Sequence, residues 1–558
     1  MSIVKGNLNR NLNKVVIGAH PIIQHYIEKL NLSAIVRTYI PSDKRLVIQA
    51  ADSINVLIHN ILTQPMALYK MPEWLETLDM ESLGFTCTTA SHFNDDRIAR
   101  LLDTVYKSNR KQIFFRIALR AIKLFELNCS IIHQDTTSIP LHGRYDKWKQ
   151  EPLAINGYSK DHRPDLKQLV LGITVAGDGA VPIVHEVYSG NRTDDTVHIS
   201  NWNRLRHLLQ TTDFMYTSDS KLCTENNLSH IEFYGGQYIT VMPRTWKEDT
   251  LFREKVSSDG VRWRLIMTRP NNRHPDSVVD KYHTTKAEMT LTKHRRIIWI
   301  RSTQKADIDR QDRENRIQST IDELHMLNSR INRYSLRRLK DIKAAVRDVL
   351  NKYDTQRLIH SSISHRTMVK KIYRKKGRPR MDTPASFRRW KEYRITCEVN
   401  NDEVKRQSKT DGVFPLLTNN HDKSAKTILT TYKYQSFLEK RHEQLKSWLE
   451  IAPVYLKKPK RVLALLDITV IALAVATLME RDLRRGMKKH HIASLPVYPE
   501  KRECKYPTTQ SIVRTFSNIE KYELYDDNRN TIEYFPPLLS QLQKQILALM
   551  EVPTQLFA

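Results

Sequence analysis

The chain reads as an α/β protein. It has a mixed five-stranded sheet with flanking helices, a helical segment in front of it, and a β-rich and helical insertion interrupting it. Three features predict this. Between residues 131 and 241 the periodic runs follow the order strand, strand, strand, helix, strand, helix, strand. The turn Gly177-Asp178-Gly179 joins the second and third runs as a hairpin. The helical stretches between the later strands make those strands crossovers in one mixed sheet.

Taken in order, residues 1–128 form a helical N-terminal domain. Ile22, Ile23, Ile27 and Leu30 recur at helical spacing, as do Ile54, Leu57, Ile58 and Ile61. Asn94 is placed to cap a helix carrying Ile98, Leu101 and Leu102, and another helix runs from about residue 110 to 127.

Residues 129–243 hold the first part of the core. Ile131 and Ile132 lead to the carboxylate of Asp135, and Pro140 ends the run. Alternation places Asp135 and Thr137 on one face. Alone, Asp135 would pass for a turn cap. Strands follow at 168–175 and 181–187, and Gly190-Asn191 breaks the chain. Thr193 or Asp194 then caps a helix reaching about Gln210. The strand at 214–217 ends on Asp219, a helical stretch starts near Leu222, and the fifth strand spans 237–241. Asp135 and Asp219 thus stand at the carboxyl ends of strands one and four, the rim where open α/β sheets build sites.

Residues 244–425 interrupt the core. Runs 261–267 and 296–301 read as strands, and Ile317, Ile321, Leu324, Leu327 and Ile331 make one long helical stripe. Composition then shifts: residues 366–394 hold 12 Lys or Arg against two acids, with Gly377 and Pro379 as breakers.

Residues 426–485 return to the core. Thr430 or Thr431 starts a helix in which Tyr432, Gln435, Glu439 and Lys446 share a narrow stripe. Phe437, Leu438, Leu445, Trp448 and Leu449 lie opposite, with Arg441 unexplained among them, and Glu443 stands one turn beyond Glu439. Residues 462–479 nearly match a membrane span in length. Asp467 and Thr469 interrupt the run and Glu480-Arg481-Asp482 closes it, so it reads as a buried core helix. The tail, 486–558, is polar and basic, with a helix near 538–550 available for self-association.

The motifs Asp135-Thr136-Thr137 and Ser218-Asp219-Ser220, with the spaced set Tyr432, Gln435, Glu439 and Lys446, resemble those of bacterial insertion-sequence DDE transposases. That family has an RNase H-like core and a YREK-type signature helix; Gln435 stands where it has Arg. The resemblance covers about residues 130–480. It implies a transposase that cuts at its element's inverted-repeat ends and joins them to target DNA by two-metal hydrolysis and transesterification. Asp135, Asp219 and Glu439 would be the catalytic metal ligands, with Glu443 the rival third acid. Hard ions such as Mg²⁺ want oxygen ligands, so two Mg²⁺, with Mn²⁺ as substitute, are the implied cofactors. Tyr432, Gln435 and Lys446 would contact DNA phosphates. Trp263 or Trp299 would either stack on a displaced base or pack in a core. The helical N-terminal domain would either read DNA ends or only support the core.

The formal charge of +29, from 90 Lys and Arg against 61 Asp and Glu, suits a polyanionic partner. Gly377-Arg378-Pro379, flanked by Lys375, Lys376 and Arg380, is similar to an AT-hook, so these four cations are candidate DNA contacts. The expected partner is double-stranded DNA, at the element ends and the target, bound as a homodimer and without a membrane. Five scattered cysteines argue against a disulfide framework and a structural zinc site. The start carries no charged-then-apolar signal pattern, so the expected location is cytoplasmic, nucleoid-associated when DNA-bound. The alternatives are a metal-dependent DNA nuclease of the same fold and a catalytically silent transposase-derived DNA-binding protein.

Overall fold

The computed structural model describes residues 11–85, 89–146, 148–158, 160, 163–270, 279–286, 295–333, 336–373, 385–449, 456–525 and 531–557. The chain forms two compact units, Met1–Thr240 with Leu429–Ala558, and Val241–Ile428. In chain order the strands are β1 (Asn11–Val16), β2 (Ile131–Leu141), β3 (Lys167–Ala176), β4 (Pro182–Ser189), β5 (Met215–Thr217), β6 (Gln237–Val241), β7 (Arg264–Pro270), β8 (Val279–Thr284), β9 (Arg296–Ser302), β10 (Ile359–Tyr373), β11 (Ala385–Val399), β12 (Val413–Thr418), β13 (Glu520–Tyr525) and β14 (Thr531–Phe535).

In the first unit a mixed sheet runs in the order β4-β3-β2-β5-β6. The pairs β2–β3 and β3–β4 are antiparallel, whereas β2–β5 and β5–β6 are parallel. β3 is buried at every position after Lys167, which its apolar run Leu-Val-Leu-Gly-Ile demands of a strand covered on both faces. The hairpin to β4 turns through Gly179 at φ +80°, a conformation glycine adopts without strain.

The N-terminal helices form where the apolar spacing put them, at His20–Lys29, Ala50–Thr63, Asp95–Lys107 and Arg110–Leu124. Asn94 caps the third of these by accepting from the Arg97 N–H at 3.0 Å. Their buried residues share one core with the helix Pro459–Lys489. Among the described residues that helix is long and apolar enough to cross a membrane, but 94% of its apolar window is buried inside the fold. The two polar residues that interrupt its apolar run are met: Asp467 by Arg110 and by His185 Nε2 at 2.8 Å, and the Thr469 hydroxyl by Leu465 O at 2.9 Å.

Two features of this unit differ from the sequence reading. β1 pairs with β13, and β13 with β14, so the two ends of the chain make a three-stranded sheet. The tail helix, Gln541–Leu549, also buries Ile546, Leu547 and Leu549 in this core. Gly486 permits the contact, since a Cβ there would lie 2.1 Å from Leu549 O.

In the second unit β12-β9-β8-β7 form an antiparallel sheet. Trp299 is 1% exposed and stacks on Phe252 at 3.7 Å, so of its two readings core packing is the one the fold supports. The long stripe forms the helix Thr303–Arg330, which packs with Leu339–Lys352 and the root of a two-stranded ribbon, β10–β11. The four candidate cations Lys375, Lys376, Arg378 and Arg380 lie outside the described residues.

Candidate active site

β2 carries the first acid, but within the strand rather than at its end. Asp135 is opposite Ile173 of the antiparallel neighbour β3. On the other side the parallel partner β5 stops early, at Thr217 opposite His133. Just past that end the Ser218 hydroxyl donates to Gln134 O at 2.9 Å, which holds the residue before Asp219 against the residue before Asp135. The end of β5 therefore opens the edge of β2 where Asp135 stands. Beyond Thr217 the chain bends into the short turn Ser220–Leu222, which Asp219 caps by accepting from the Lys221 N–H at 3.0 Å. Thr240 Oγ1 donates to the Asp219 carbonyl at 2.5 Å and ties the turn to β6.

The third acid comes from the signature segment, which is not one regular helix. It consists of Ala425–Lys433, Gln435–Glu443 and a π-helical turn, Gln444–Trp448. Gln435 docks this segment on β2. Its side-chain oxygen meets His133 Nδ1 at 3.0 Å and its amide donates to Gln134 O at 3.0 Å. Gln435 is buried, with its amide engaged on both sides. One turn later Glu439 is exposed beside the site. Although open to solvent at the surface, its carboxyl is raised by partial desolvation from the neighbouring protein, Asp135 adds to the rise, and Lys433 opposes it. Glu443 lines a separate cleft with Lys440, Trp448 and Lys505.

Arg441, unexplained by periodicity, is an anchor. It is 3% exposed, pairs with the fully buried Glu480 at 2.6 Å, and donates to the carbonyls of Gly179 at 2.8 Å and Ala180 at 3.3 Å. The segment is thus held to both the β3–β4 turn and the apolar helix.

Two residues of this site had no functional signal in the sequence. Asp194, expected as a possible helix cap, opens only the turn Asp194–Thr196; the helix His198–Leu209 starts without a side-chain cap. Asp194 instead accepts from Thr136 Oγ1 at 2.5 Å. Lys160 Nζ lies 3.2 Å from Asp194 and 3.7 Å from Asp135, and donates to Thr136 O at 2.7 Å. Burial alone would lower its ammonium, but Asp135 and Asp194 outweigh burial and hold it raised.

The electrostatics follow from crowding acids in a half-buried place. Burial pushes Asp135 up, Lys160 and the Thr136 N–H pull it back, and Asp194 raises it again. Asp219 is likewise raised by burial and by Asp135 and Asp194, against the Lys221 N–H and Lys160. The Tyr432 hydroxyl is raised by burial and then by the charges of Asp219, Glu439 and Asp135. His442 Nδ1 is 3.6 Å from Asp135, and burial lowers that ring to about 3, so it is neutral. Lys446 is half-buried in the π-helical turn, and its charge adds to the lowering of His442.

A cluster of carboxylates held above their usual range favours a cation. The donor set is all oxygen, which fits a hard divalent ion. Among the described residues no three ligand-type side chains are close enough to share one ion, and Lys160 bridges two of the acids.

Residues 13–119 match the family model of a domain of unknown function, DUF4277. No curated protein matches the chain. Among solved structures the chain is similar to a piggyBac transposase synaptic complex with hairpin DNA, determined by cryo-EM. The identity is 10% over 89% of this chain and 77% of that one, with a TM-score of 0.36. At that score the likeness says nothing about the site.

Proposed function

We propose that the chain is a DDE transposase with an RNase H-like core, cutting DNA at its element's ends and joining those ends to target DNA. The observation that carries this reading is the β2–β5 register. It ends β5 two residues before Asp219 and opposite His133, two residues before Asp135, while Gln435 docks the segment bearing Glu439 on the same strand.

Asp135, Asp219 and Glu439 are the proposed ligands of Mg²⁺ or Mn²⁺, which when bound would supply Lewis acidity at the scissile phosphodiester. The chain's own residues do the rest. Asp135 and Asp219 orient their carboxylates through the Thr136 and Lys221 N–H groups. Tyr432, three residues before Gln435 on the same segment, would donate its hydroxyl to a phosphate oxygen. Lys446 supplies positive charge on the same segment. Gln435 acts through the docking of that segment.

In the proposed sequence water attacks a phosphodiester at the element end and frees a 3′-hydroxyl. That hydroxyl then attacks a phosphodiester of target DNA, so one site serves both steps. The net charge of +29 supports a DNA partner, and a homodimer in the DNA complex is part of the same proposal.

The test is incubation of purified protein with the inverted-repeat DNA that flanks its gene, in Mg²⁺ or Mn²⁺. Nicking followed by joined products is expected. Cleavage without joining would favour the nuclease reading, and binding without cleavage the silent one.

A further inference from the structure

The second unit carries a feature with no role in that chemistry. β10 and β11 pair antiparallel over fifteen residues each, from Ile359 opposite Val399 to Tyr373 opposite Ala385. At about 3.4 Å per residue such a ribbon is about 50 Å long. An isolated two-stranded ribbon is marginal in water, and this one is braced only at its root. There Ile359 and Ile395 join the core made by the helices Thr303–Arg330 and Leu339–Lys352. Asn332 grips the Tyr393 backbone at both N–H and C=O, each at 2.8 Å, and Asn328 accepts from the Ile395 N–H at 2.9 Å.

The outer part has no such cover. Arg366, Lys370, Lys371, Arg388, Arg389, Lys391 and Arg394 are all exposed, against two acids on the ribbon, Glu392 and Glu398. Among the described residues none of the seven cations is in an ion pair. Lys370 stands directly opposite Arg388, a like-charge pair that costs stability in a sheet. Exposed apolar side chains are interleaved with them: Val369 at 55%, Phe387 at 63% and Trp390 at 37%.

We infer that the β10–β11 ribbon is a DNA-binding arm that lies in the major groove of duplex DNA. Unpaired cations on both faces of a narrow arm are repaid only by a polyanion that can surround it. B-form DNA has a major groove of about 12 Å, which admits a two-stranded ribbon. The major groove of A-form RNA is too deep and narrow for side chains to read. The choice of DNA as the polyanion rests partly on the reading of the carboxylate site; the ribbon's need for a polyanion does not.

The experiment measures equilibrium binding of a 30-base-pair DNA duplex to the full chain by fluorescence anisotropy. It is done in EDTA, where no cleavage occurs, across a salt series. The variant is Lys371→Gln/Arg389→Gln/Lys391→Gln, which removes three exposed cations from one ribbon face. The control is Lys340→Gln/Lys343→Gln/Arg347→Gln, which removes three exposed cations from a helix of the same unit.

The ribbon variant is expected to melt as wild type and to bind DNA at least about tenfold more weakly. Its log–log salt slope should be shallower by about 2–3 units, because each lost phosphate contact removes about 0.9. The control should change the slope by less than about one. Equal effects of the two variants, no effect of the ribbon variant, or tighter wild-type binding to an RNA duplex of the same sequence would overturn the inference. A wild type that binds this way yet never cleaves in Mg²⁺ or Mn²⁺ would instead defeat the transposase reading and leave the arm standing.

Discussion

Lys160 Nζ stands 3.2 Å from Asp194 Oδ2 and reaches Asp135 Oδ1 at 3.7 Å, so an ammonium lies where two of the site's carboxylates meet. In the free protein it does the screening that a divalent ion would do when bound.

Lys160→Met should therefore destabilise the metal-free protein, by about 1 kcal/mol once solvent screening of a part-exposed pair is allowed for. Millimolar Mg²⁺ should restore the loss. Thermal melting in EDTA and in Mg²⁺ checks this. A variant whose melting point is the same in both would show that Lys160 does not hold the place of a cation.

Gln435 is a buried residue that docks its segment on β2. It is 7% exposed and its amide is shared between His133 and Gln134. Gln435→Ala should cost about 1–3 kcal/mol by leaving the buried His133 Nδ1 unpaired and Gln134 O with only the Ser218 hydroxyl. Gln435→Arg should also destabilise, because it buries a charge with no acid in contact. Urea denaturation of both variants decides it; an arginine variant as stable as wild type would count against this account.

Arg441 and Glu480 form a buried ion pair. Arg441→Met should destabilise by up to about 3–5 kcal/mol, less whatever Arg484 at 3.2 Å and the Thr509 N–H at 3.0 Å still give the buried Glu480 carboxylate. Arg441→Met/Glu480→Leu should recover much of that loss. If the double variant is less stable than the single one, Glu480 owes its place to Arg484 and Thr509 instead.

His20 and His59 are both buried, with their Nδ1 atoms 3.1 Å apart. Burial lowers His20 to about 3 and His59 well below the usual imidazole value. The unfolded chain binds those protons near pH 6.5 and the folded chain does not. Their contribution to stability is thus complete above about pH 6.5 and is lost as pH falls toward about 3. Each adds a slope of up to about 1.4 kcal/mol per pH unit in that window. The urea midpoint should fall from pH 7 to pH 5, and less steeply in His20→Asn/His59→Asn. Identical slopes in variant and wild type would place the acid sensitivity elsewhere.

What could be read from the residues was what periodicity and turn chemistry mark. The strands around Asp135 and Asp219, the Asn94 cap and the buried helix all rest on local pattern. Asp194 was hidden because an acid before a helix reads as a cap, and only the tertiary fold turns it toward Thr136. Lys160 lies in a charged loop with no periodicity. The π-helical turn was invisible to a 100° step, which assumes regular winding through Lys446. The ribbon escaped because its outer residues are exposed on both faces, leaving no alternation of apolar and polar positions.

We propose that Asp135, Asp219 and Glu439 serve one cutting centre. The most direct test of this is cleavage of a plasmid carrying the inverted-repeat ends, in Mg²⁺ or Mn²⁺, by wild type and by Asp135→Asn, Asp219→Asn, Glu439→Gln and Glu443→Gln. Wild type and Glu443→Gln should cut, while the other three should bind the ends in EDTA as wild type does and fail to cut. Cleavage that persists in Asp135→Asn, or that survives Glu439→Gln and disappears in Glu443→Gln, would contradict it.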